Sequence, residues 1–593
     1  MSSMIQTAPK NWVNTACLLN RLGAIALIVS LVAAPLIASN QYYLNVLVLM
    51  ALNATLATGL AIVVRAGRLS LAQATFSGIG GYTSGLLVMK LGMDYWPALL
   101  LAGMFAAVVG VLLGLTSLRL RGFYFAIATF TFSQLVIIIL RAWTPVTGGM
   151  SGMFGLPVPP DILGISFLNA RNYYYLALFA AALSVSASYA CSAGTRFGRG
   201  LTVLGEDEVL ARALGVPATR YRLYAFAISS FIGGVAGSLS AHFIQGISPS
   251  DIQPIASVFV VVMVMAGGAN MLLGPIVGAV VMTAVPELLR ASAQWSMVFY
   301  GLFLLAYVFF FQNGLLPLLQ KAVYRIFNIT VIRPEYSIAA IDRPAAYPTR
   351  RTAPVAGNIA HLQFGKMQCN YGNLAVLQEI DWKIENGCIN GLIGPNGAGK
   401  TTFFNVVTGV APLSGGRMLW KGEAIVPTPE SMARRGVART FQHARILENH
   451  TVFEAISLGA ELPGSKPEPA RLEWLISKLK LQSIRDVRSG GLTHYQKRLV
   501  SIGMAMASDC EVLLLDEPLA GLDDTETEEL TQIILDLHQA AHNTVLLIEH
   551  KLSVIMRICS HLTVLDQGRI IAQGAPKAVA SNEDVIRAYL GDE

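Results

Sequence analysis

Charged residues are scarce in this sequence. Asp, Glu, Lys and Arg make up 13% of its 593 residues, hydrophobic residues make up 54%, and the mean hydropathy is +0.54. Soluble domains carry roughly 25% charged residues, so a wholly water-soluble chain is excluded and much of it is expected in lipid. Cysteine is scarce as well. Cys17, Cys191, Cys369, Cys388, Cys510 and Cys559 are scattered, with no C-x-x-C pair. That spacing suggests neither a disulfide framework nor a cysteine metal site, and it fits a reduced compartment. Acidic residues are few in the first half: residues 1–320 hold 15 Lys+Arg against 7 Asp+Glu, while the remainder holds 28 against 29. The basic excess therefore belongs to the apolar half. Loop arginines meeting anionic lipid account for it, and no nucleic-acid partner is needed.

What the first half does contain is long hydrophobic runs, near 22–39, 43–64, 70–89, 97–118, 122–140, 173–190, 222–244, 253–267, 271–289 and 297–312. Most approach the roughly 20 residues that cross hydrocarbon as a helix. The first follows Lys10 and Arg21 as a signal peptide would, but further spans come at once, which favours a first membrane helix. The short run at 253–267 and the Gly/Ser/Thr-rich run at 70–89 leave crossing and re-entrant readings open. Ten crossings with a cytoplasmic start put Arg119, Arg121 and the basic 191–221 loop inside, as the positive-inside rule requires. Lys90, Arg141, Arg171 and Arg290 then fall outside. Glu287 is the one carboxylate in a span, and its position beside Arg290 reads as snorkelling or pairing. With so few buried carboxylates, an ion-coupled carrier is disfavoured and the energy source is expected elsewhere in the chain.

Residues 321–357, with Pro334, Pro344, Pro348 and Pro354, read as a linker that spans on the order of 35 Å as a flexible chain. From about Asn358 short apolar runs alternate with helical stretches, as in an α/β domain. The expected architecture is a polytopic α-helical membrane domain over 1–320, the linker, and an α/β P-loop domain over 358–593.

The second domain carries the chemistry. GPNGAGKT at 394–401 fits G-x-x-x-x-G-K-[ST] after a strand-like run. Gly394, Asn396, Gly397 and Gly399 let backbone N–H groups face a phosphate. Lys400 reaches the β/γ-phosphates, Thr401 reaches Mg²⁺, and Thr402 belongs with them to the nucleotide-binding set. EVLLLDEP at 511–518 is an apolar run of the kind buried on both faces, ending in Asp516, a Mg²⁺ ligand through water, and Glu517, a general base. TVLLI at 544–548 ends in Glu549-His550 and places His550 beside the γ-phosphate. The cofactors implied are ATP and Mg²⁺.

Taken together these residues resemble an ABC-transporter ATPase over 358–593. The resemblance makes Tyr371 the aromatic that stacks on adenine, although a strand-end aromatic is an ordinary alternative. It makes Gln442, in RTFQH, the glutamine that senses Mg²⁺ and couples to the membrane domain, and AGLDD at 520–524 the D-loop. RTFQH and the tail VIRAYLG resemble the ATPases of the branched-chain amino acid uptake family. The first half is similar to that family's permeases through GRLSLAQATFSGIGGYT (67–83), LRLRGFYFAIAT (118–129), TGGMSGMFGLP (147–157) and GGANMLLGPIVGA (267–279). The loop 199–222 has acids Glu206, Asp207 and Glu208 at a helix start, an apolar face of Leu210, Ala211 and Leu214, and a stop at Gly215. It reads either as a solvated loop helix or as the coupling helix that the family presents to its ATPase.

The resemblance implies an ATP hydrolase that drives import of branched-chain amino acids or related small polar molecules such as urea or amides, from the bacterial inner membrane with its ATPase in the cytoplasm. It also implies a second permease and a second ATPase, supplied by a related chain or by a copy of this one, and a periplasmic substrate-binding protein. An ATP-driven exporter half-transporter is the alternative, disfavoured by ten spans and a short coupling loop. One motif departs from the family: where LSGGQ is expected the chain has Leu492, Thr493, His494, Tyr495 and Gln496. The hydroxyl survives at Thr493, but both glycines are replaced, and a side chain at Tyr495 is expected to hinder close approach to a phosphate held by the opposite subunit.

Overall fold

In the computed structural model the apolar runs are helices, the form in which a segment in lipid satisfies its own backbone polar groups. The structure describes residues 30–36, 40–120, 122–162, 164–192, 194–289, 301–302, 305, 314–316, 347, 360–461 and 468–590. The described chain divides into two compact units, one comprising 1–205 with 219–338 and the other 206–218 with 339–593.

The first unit contains α1 (Gln41–Arg65), α2 (Gln73–Leu91), α3 (Tyr95–Ser117), α4 (Phe123–Ala142), α5 (Ala170–Ala190), α6 (Arg196–Glu206), α8 (Ala218–Ile244), α9 (Pro254–Gly267) and α10 (Gly274–Leu289). Among the described residues α1, α3, α4, α5 and α8 are long and apolar enough to cross a membrane, and α9 and α10 are shorter apolar helices. Two of the ten runs, 22–39 and 297–312, lie largely outside the described residues. The glycine-rich run is a continuous 19-residue helix, α2. Its small residues let α8 approach closely: a β-carbon at Gly80 would stand 2.1 Å from the Gly234 carbonyl oxygen, and one at Gly237 1.8 Å from that of Ser77. Small residues at a helix contact are how membrane helices gain packing without a hydrophobic drive between them.

Polar side chains tie this unit at its helix ends. Asn40 caps α1 by accepting from the Tyr42 N–H at 3.0 Å. Arg65, in the last turn of α1, is buried and donates to the Ser188 hydroxyl at 2.9 Å and to the carbonyls of Ala269 and Met271 at 3.2 Å. The Glu287 carboxylate accepts from the Tyr42 hydroxyl, while Arg290, its expected neighbour, lies outside the described residues.

The second unit is an α/β domain around two sheets. Strands β1 (Leu362–Tyr371), β2 (Leu374–Lys383), β4 (Gly415–Trp420) and β5 (Glu423–Ile425) form an antiparallel sheet in the order β2-β1-β4-β5. The six-stranded sheet runs β10-β9-β3-β8-β7-β6, from β10 (Arg569–Gly574), β9 (His561–Asp566), β3 (Ile389–Ile393), β8 (Thr544–Ile548), β7 (Val512–Asp516) and β6 (Val437–Arg439). All its pairings are parallel except β9 with β10. Every residue of β3, β7 and β8 is buried, as a parallel strand covered on both faces requires. The helices used below are α7 (Glu208–Ala213), α11 (Lys400–Val407), α12 (Pro429–Arg434), α13 (Val452–Glu461), α14 (Pro469–Lys478), α15 (His494–Ala507), α16 (Asp524–Ala541) and α17 (Leu552–Ile558).

Of the expected linker the structure describes one residue, Tyr347, and it is buried. Its hydroxyl donates to the Met506 carbonyl of α15 at 2.9 Å, its ring lies 5.0 Å from that of Trp474, and the Arg471 guanidinium stands 5.6 Å from its centre.

Candidate active site

The loop between β3 and α11 has the backbone that a phosphate site needs. Gly394 has φ 153 and a β-carbon there would stand 1.9 Å from the Leu565 carbonyl oxygen; Gly399 has φ 102 and its β-carbon would meet a Leu377 methyl at 2.9 Å. Both positions accept only glycine without strain. Gly399 is also the N-cap of α11 and offers no side-chain cap, so the first-turn N–H groups are left for a ligand. Lys400 is buried, and its Nζ donates to the Gly394 carbonyl at 2.7 Å and to that of Pro395 at 2.9 Å. Burial lowers its pKa, and Glu517 and Asp516 partly offset this. Asn396, Gly397 and Thr401 are exposed along the loop, Thr402 is half-buried, and Tyr371 stands exposed at the end of β1. A cradle of glycine, open N–H groups and one lysine fits a nucleotide's phosphates.

The strand ends bring the three expected catalytic side chains together. Glu517 follows β7 with a left-handed backbone, φ 48, fixed by its N–H donating to the Ile548 carbonyl of β8 at 2.9 Å. One carboxylate oxygen accepts from Gln442 Nε2 at 2.9 Å, and the other lies 3.1 Å from His550 Nε2. A carboxylate gripped at both oxygens is held in one orientation, which a general base requires. Asp516 is almost fully buried, with Oδ2 accepting from Arg439 at 2.9 Å and Oδ1 buried without a hydrogen-bond partner among the described residues. Burial raises its pKa, and Arg439 pulls the other way. The residues present fit Mg²⁺: an open carboxylate oxygen is a hard ligand of the kind this ion takes.

Three residues of this cluster were given no role from the sequence, although Arg439 opens RTFQH and Glu549 precedes His550. Arg439 ends β6 with only 3% of its side chain exposed, and its second nitrogen donates to Asn405 of α11 at 2.6 Å. Removing one partner of such a buried pair typically costs ~3–5 kcal/mol, because the other charge is left uncompensated. Glu549 is buried and accepts from the backbone N–H groups of Leu519 (2.7 Å) and His550 (3.0 Å), which fixes the loop after Glu517. Burial raises its pKa, and those N–H groups moderate the rise. Arg498 donates to the Phe441 carbonyl at 3.0 Å and so holds the residue before Gln442. An arginine in the apolar run VAR was the available clue to Arg439, since a buried guanidinium demands a carboxylate.

The LTHYQ loop opens α15. Thr493 is the N-cap: its hydroxyl accepts from the Gln496 N–H at 3.3 Å and the Gln496 side chain accepts from the Thr493 N–H at 3.1 Å. Leu492 is buried beneath it. His494 is exposed, its ring 3.8 Å from where a β-carbon on Gly521 would stand, so it borders the AGLDD loop. Tyr495 turns back toward α16: burial first, then Glu529 and Glu526, raise its phenol pKa.

Residues 206–218 belong to this unit. Asp207 caps α7, with Oδ1 accepting from the N–H groups of Val209 (2.8 Å) and Leu210 (3.0 Å). Its Oδ2 accepts from Arg445 Nη1 at 2.6 Å, and Glu206 lies 3.4 Å from His450. Glu208 pairs within the helix with Arg212 at 2.7 Å. Leu210, Ala213 and Leu214 face Ala433 of α12, Gly459 of α13 and Met504 of α15 around a void of about 20 Å³. Gly215, with φ 80, ends the turn. Within this unit the segment is packed against the α/β domain through Asp207–Arg445 and the Leu210/Leu214 face.

The first unit has a cavity of about 650 Å³ between α1, α2, α8, α9 and α10. Phe259, Met263 and Met282 supply apolar wall; Asn53 and Thr283, joined by a 3.0 Å hydrogen bond, supply polar groups. Its lining comes from five helices and the α8–α9 connection, a set that no local spacing in the sequence encodes.

Comparison with known proteins matches three consecutive parts of the chain. Residues 42–308 match the family model of the branched-chain amino acid transport system/permease component, residues 377–520 that of the ABC transporter, and residues 569–593 that of the branched-chain amino acid ATP-binding cassette transporter. The high-affinity branched-chain amino acid transport ATP-binding protein BraF of Pseudomonas aeruginosa is 34% identical over 250 residues, which are 39% of this chain and 98% of that protein. LivG of Escherichia coli K12, of the same description, is 33% identical over 249 residues, 39% of this chain and 98% of that protein. The permease protein LivM of Salmonella typhimurium is 32% identical over 320 residues, 50% of this chain and 75% of that protein.

Proposed function

Because this chain belongs to the family of branched-chain amino acid ABC transporters and joins permease and ATP-binding component in one polypeptide, we propose how its parts divide the work of import. The observation that carries the reading is the grip of Gln442 and His550 on Glu517 at 2.9 and 3.1 Å. Bound ATP with Mg²⁺ supplies a phosphoanhydride whose γ-phosphate can be transferred to water. Glu517 takes the proton of that water, Gln442 and His550 hold its carboxylate in line, and Lys400 and the open N–H groups of α11 bind the phosphates. Asp516 and Thr401 would hold Mg²⁺, and Tyr371 would pack on the base.

The permease cavity has the volume of a small-molecule site, and its mix of apolar wall with a few polar groups suits branched-chain amino acids, urea or short amides. The docked α7 carries motion between the ATPase and the permease loop that contains it. The chain works in the bacterial inner membrane with its ATPase in the cytoplasm, beside a second permease and ATPase, and receives substrate from a periplasmic binding protein. The LTHYQ loop completes the nucleotide site of the partner ATPase, and its two replaced glycines make that site the slower one. Uptake of labelled leucine, urea and acetamide into vesicles holding this chain, its partners and a binding protein tests the reading. ATP-dependent accumulation is expected; efflux independent of a binding protein would overturn it in favour of an exporter.

A further inference from the structure

Between the docked segment 206–218 and the carboxylate read as the Mg²⁺ ligand lies a continuous array of the order acid, arginine, aromatic ring, arginine, acid. Asp207 pairs with Arg445 at 2.6 Å; the Arg445 guanidinium stands 5.5 Å from the centre of the Phe441 ring; the Arg439 guanidinium stands 5.1 Å from that same centre; and Arg439 pairs with Asp516 at 2.9 Å. Both arginines are within the roughly 6 Å at which a cation is held by an aromatic face. Two guanidinium groups on one ring repel each other, and each is neutralised by its own aspartate. Arg439 is further fixed by Asn405 at 2.6 Å, by Thr408 at 3.4 Å and by the Phe404 ring at 5.6 Å, so its end of the array is rigid. Arg445, with 40% of its side chain exposed, is the end that can move. Phe441 also precedes Gln442 directly, so the ring that joins the two arginines shares a backbone with the group that orients Glu517.

We propose that Arg439 is a positioning residue that competes with Mg²⁺ for Asp516, and that the Asp207–Arg445 pair sets the strength of this competition through the Phe441 ring. The proposal rests on the reading of Asp516 as the Mg²⁺ ligand. While Asp207 covers Arg445, the field at Arg439 and Asp516 is that of one guanidinium against one carboxylate. When segment 206–218 shifts and Asp207 leaves, Arg445 is uncompensated in a partly dehydrated setting where charge interactions are strong. The added positive potential then opposes a divalent cation at Asp516. Occupancy of the α7 groove is in this way converted into affinity for the metal that accompanies ATP.

The test uses the full chain in lipid nanodiscs and reads binding of a fluorescent ATP analogue while Mg²⁺ is titrated, so turnover is not the measure. Asp207→Asn is expected to raise the Mg²⁺ concentration for half-maximal binding about fivefold, with metal-free analogue binding unchanged within twofold. In a Phe441→Leu background the same substitution is expected to change it by less than twofold, because without the ring nothing holds the Arg445 guanidinium beside Arg439 and its charge is screened by solvent. Arg439→Gln removes the competing charge and is expected to lower the Mg²⁺ half-saturation while hydrolysis slows at least fivefold; a purely structural arginine would give weaker metal binding instead. If Arg439→Gln does not fold, as judged by its melt, the Asp207/Phe441 cycle decides the matter. A fivefold effect of Asp207→Asn that persists unchanged without the Phe441 ring overturns the proposal, as does a raised Mg²⁺ requirement in folded Arg439→Gln. Asp516→Asn separates the premise: if it leaves the Mg²⁺ dependence untouched, Asp516 is not the ligand, and the functional reading fails rather than the array alone.

Discussion

Two helix starts in the ATPase unit have opposite construction. At α11 the N-cap is Gly399, no side chain caps the helix, and the preceding loop is bent by glycines that admit no β-carbon. At α15 the N-cap is Thr493, whose hydroxyl takes the Gln496 N–H, while Gln496 returns to the Thr493 N–H. The first start leaves its donors for a ligand; the second spends two of them on itself and adds His494 and Tyr495 where glycines would leave backbone bare. Both starts follow from the same physics, the unsatisfied N–H groups of a first turn. What differs is whether a side chain or a ligand satisfies them. A helix start that stabilises its own fold so fully has less to offer a phosphate.

Substitutions can break this contrast from either side. The largest effect is expected at the catalytic end, where Glu517→Gln should retain ATP binding and slow hydrolysis ~10²–10⁴-fold; undiminished steady-state hydrolysis in an assembly whose partner ATPase carries its own inactivating substitution would remove Glu517 from the role of base. Next is Gly394→Ala, which drives a methyl against the Leu565 carbonyl oxygen. It should weaken ATP binding about tenfold or more and lower stability by ~1–3 kcal/mol from local strain, read by nucleotide titration and thermal melting. Tyr495→Gly, on the other side, should speed hydrolysis in the assembled transporter a few-fold; equal ATPase and uptake rates would make the tyrosine a neutral variant. Thr493→Ala is expected to have the smallest effect, a loss of ~1 kcal/mol from the cap, visible in the melt.

The residues that were legible in the sequence are those whose chemistry forces a local pattern. The phosphate loop needs glycines in consecutive positions, a buried strand ending in two acids reads as a metal and base site, and the structure sets Gln442 and His550 against Glu517 accordingly. Arg439, Arg498 and Glu549 were not legible, because their partners are 77, 57 and 30 positions away and no local spacing encodes them. The same holds in the permease. Glycines at 78, 80 and 81 left a crossing and a re-entrant segment equally open, and only the close approach of α8 shows why α2 is a continuous helix. The acids of 206–208 marked a helix start, as the dipole favours, but Arg445 and His450 as their partners are visible only in the folded unit.

Tyr347 changes what the connecting segment can do. Tyr347 is wedged between Trp474, Arg471 and the Met506 carbonyl, so it serves α14 and α15 as a plug. Taking it away strips an aromatic ring from Trp474 and a hydroxyl donor from the Met506 carbonyl. An ATPase fragment that starts at Ala339 is therefore expected to melt at a higher temperature than one that starts at Asn358, which lacks the plug.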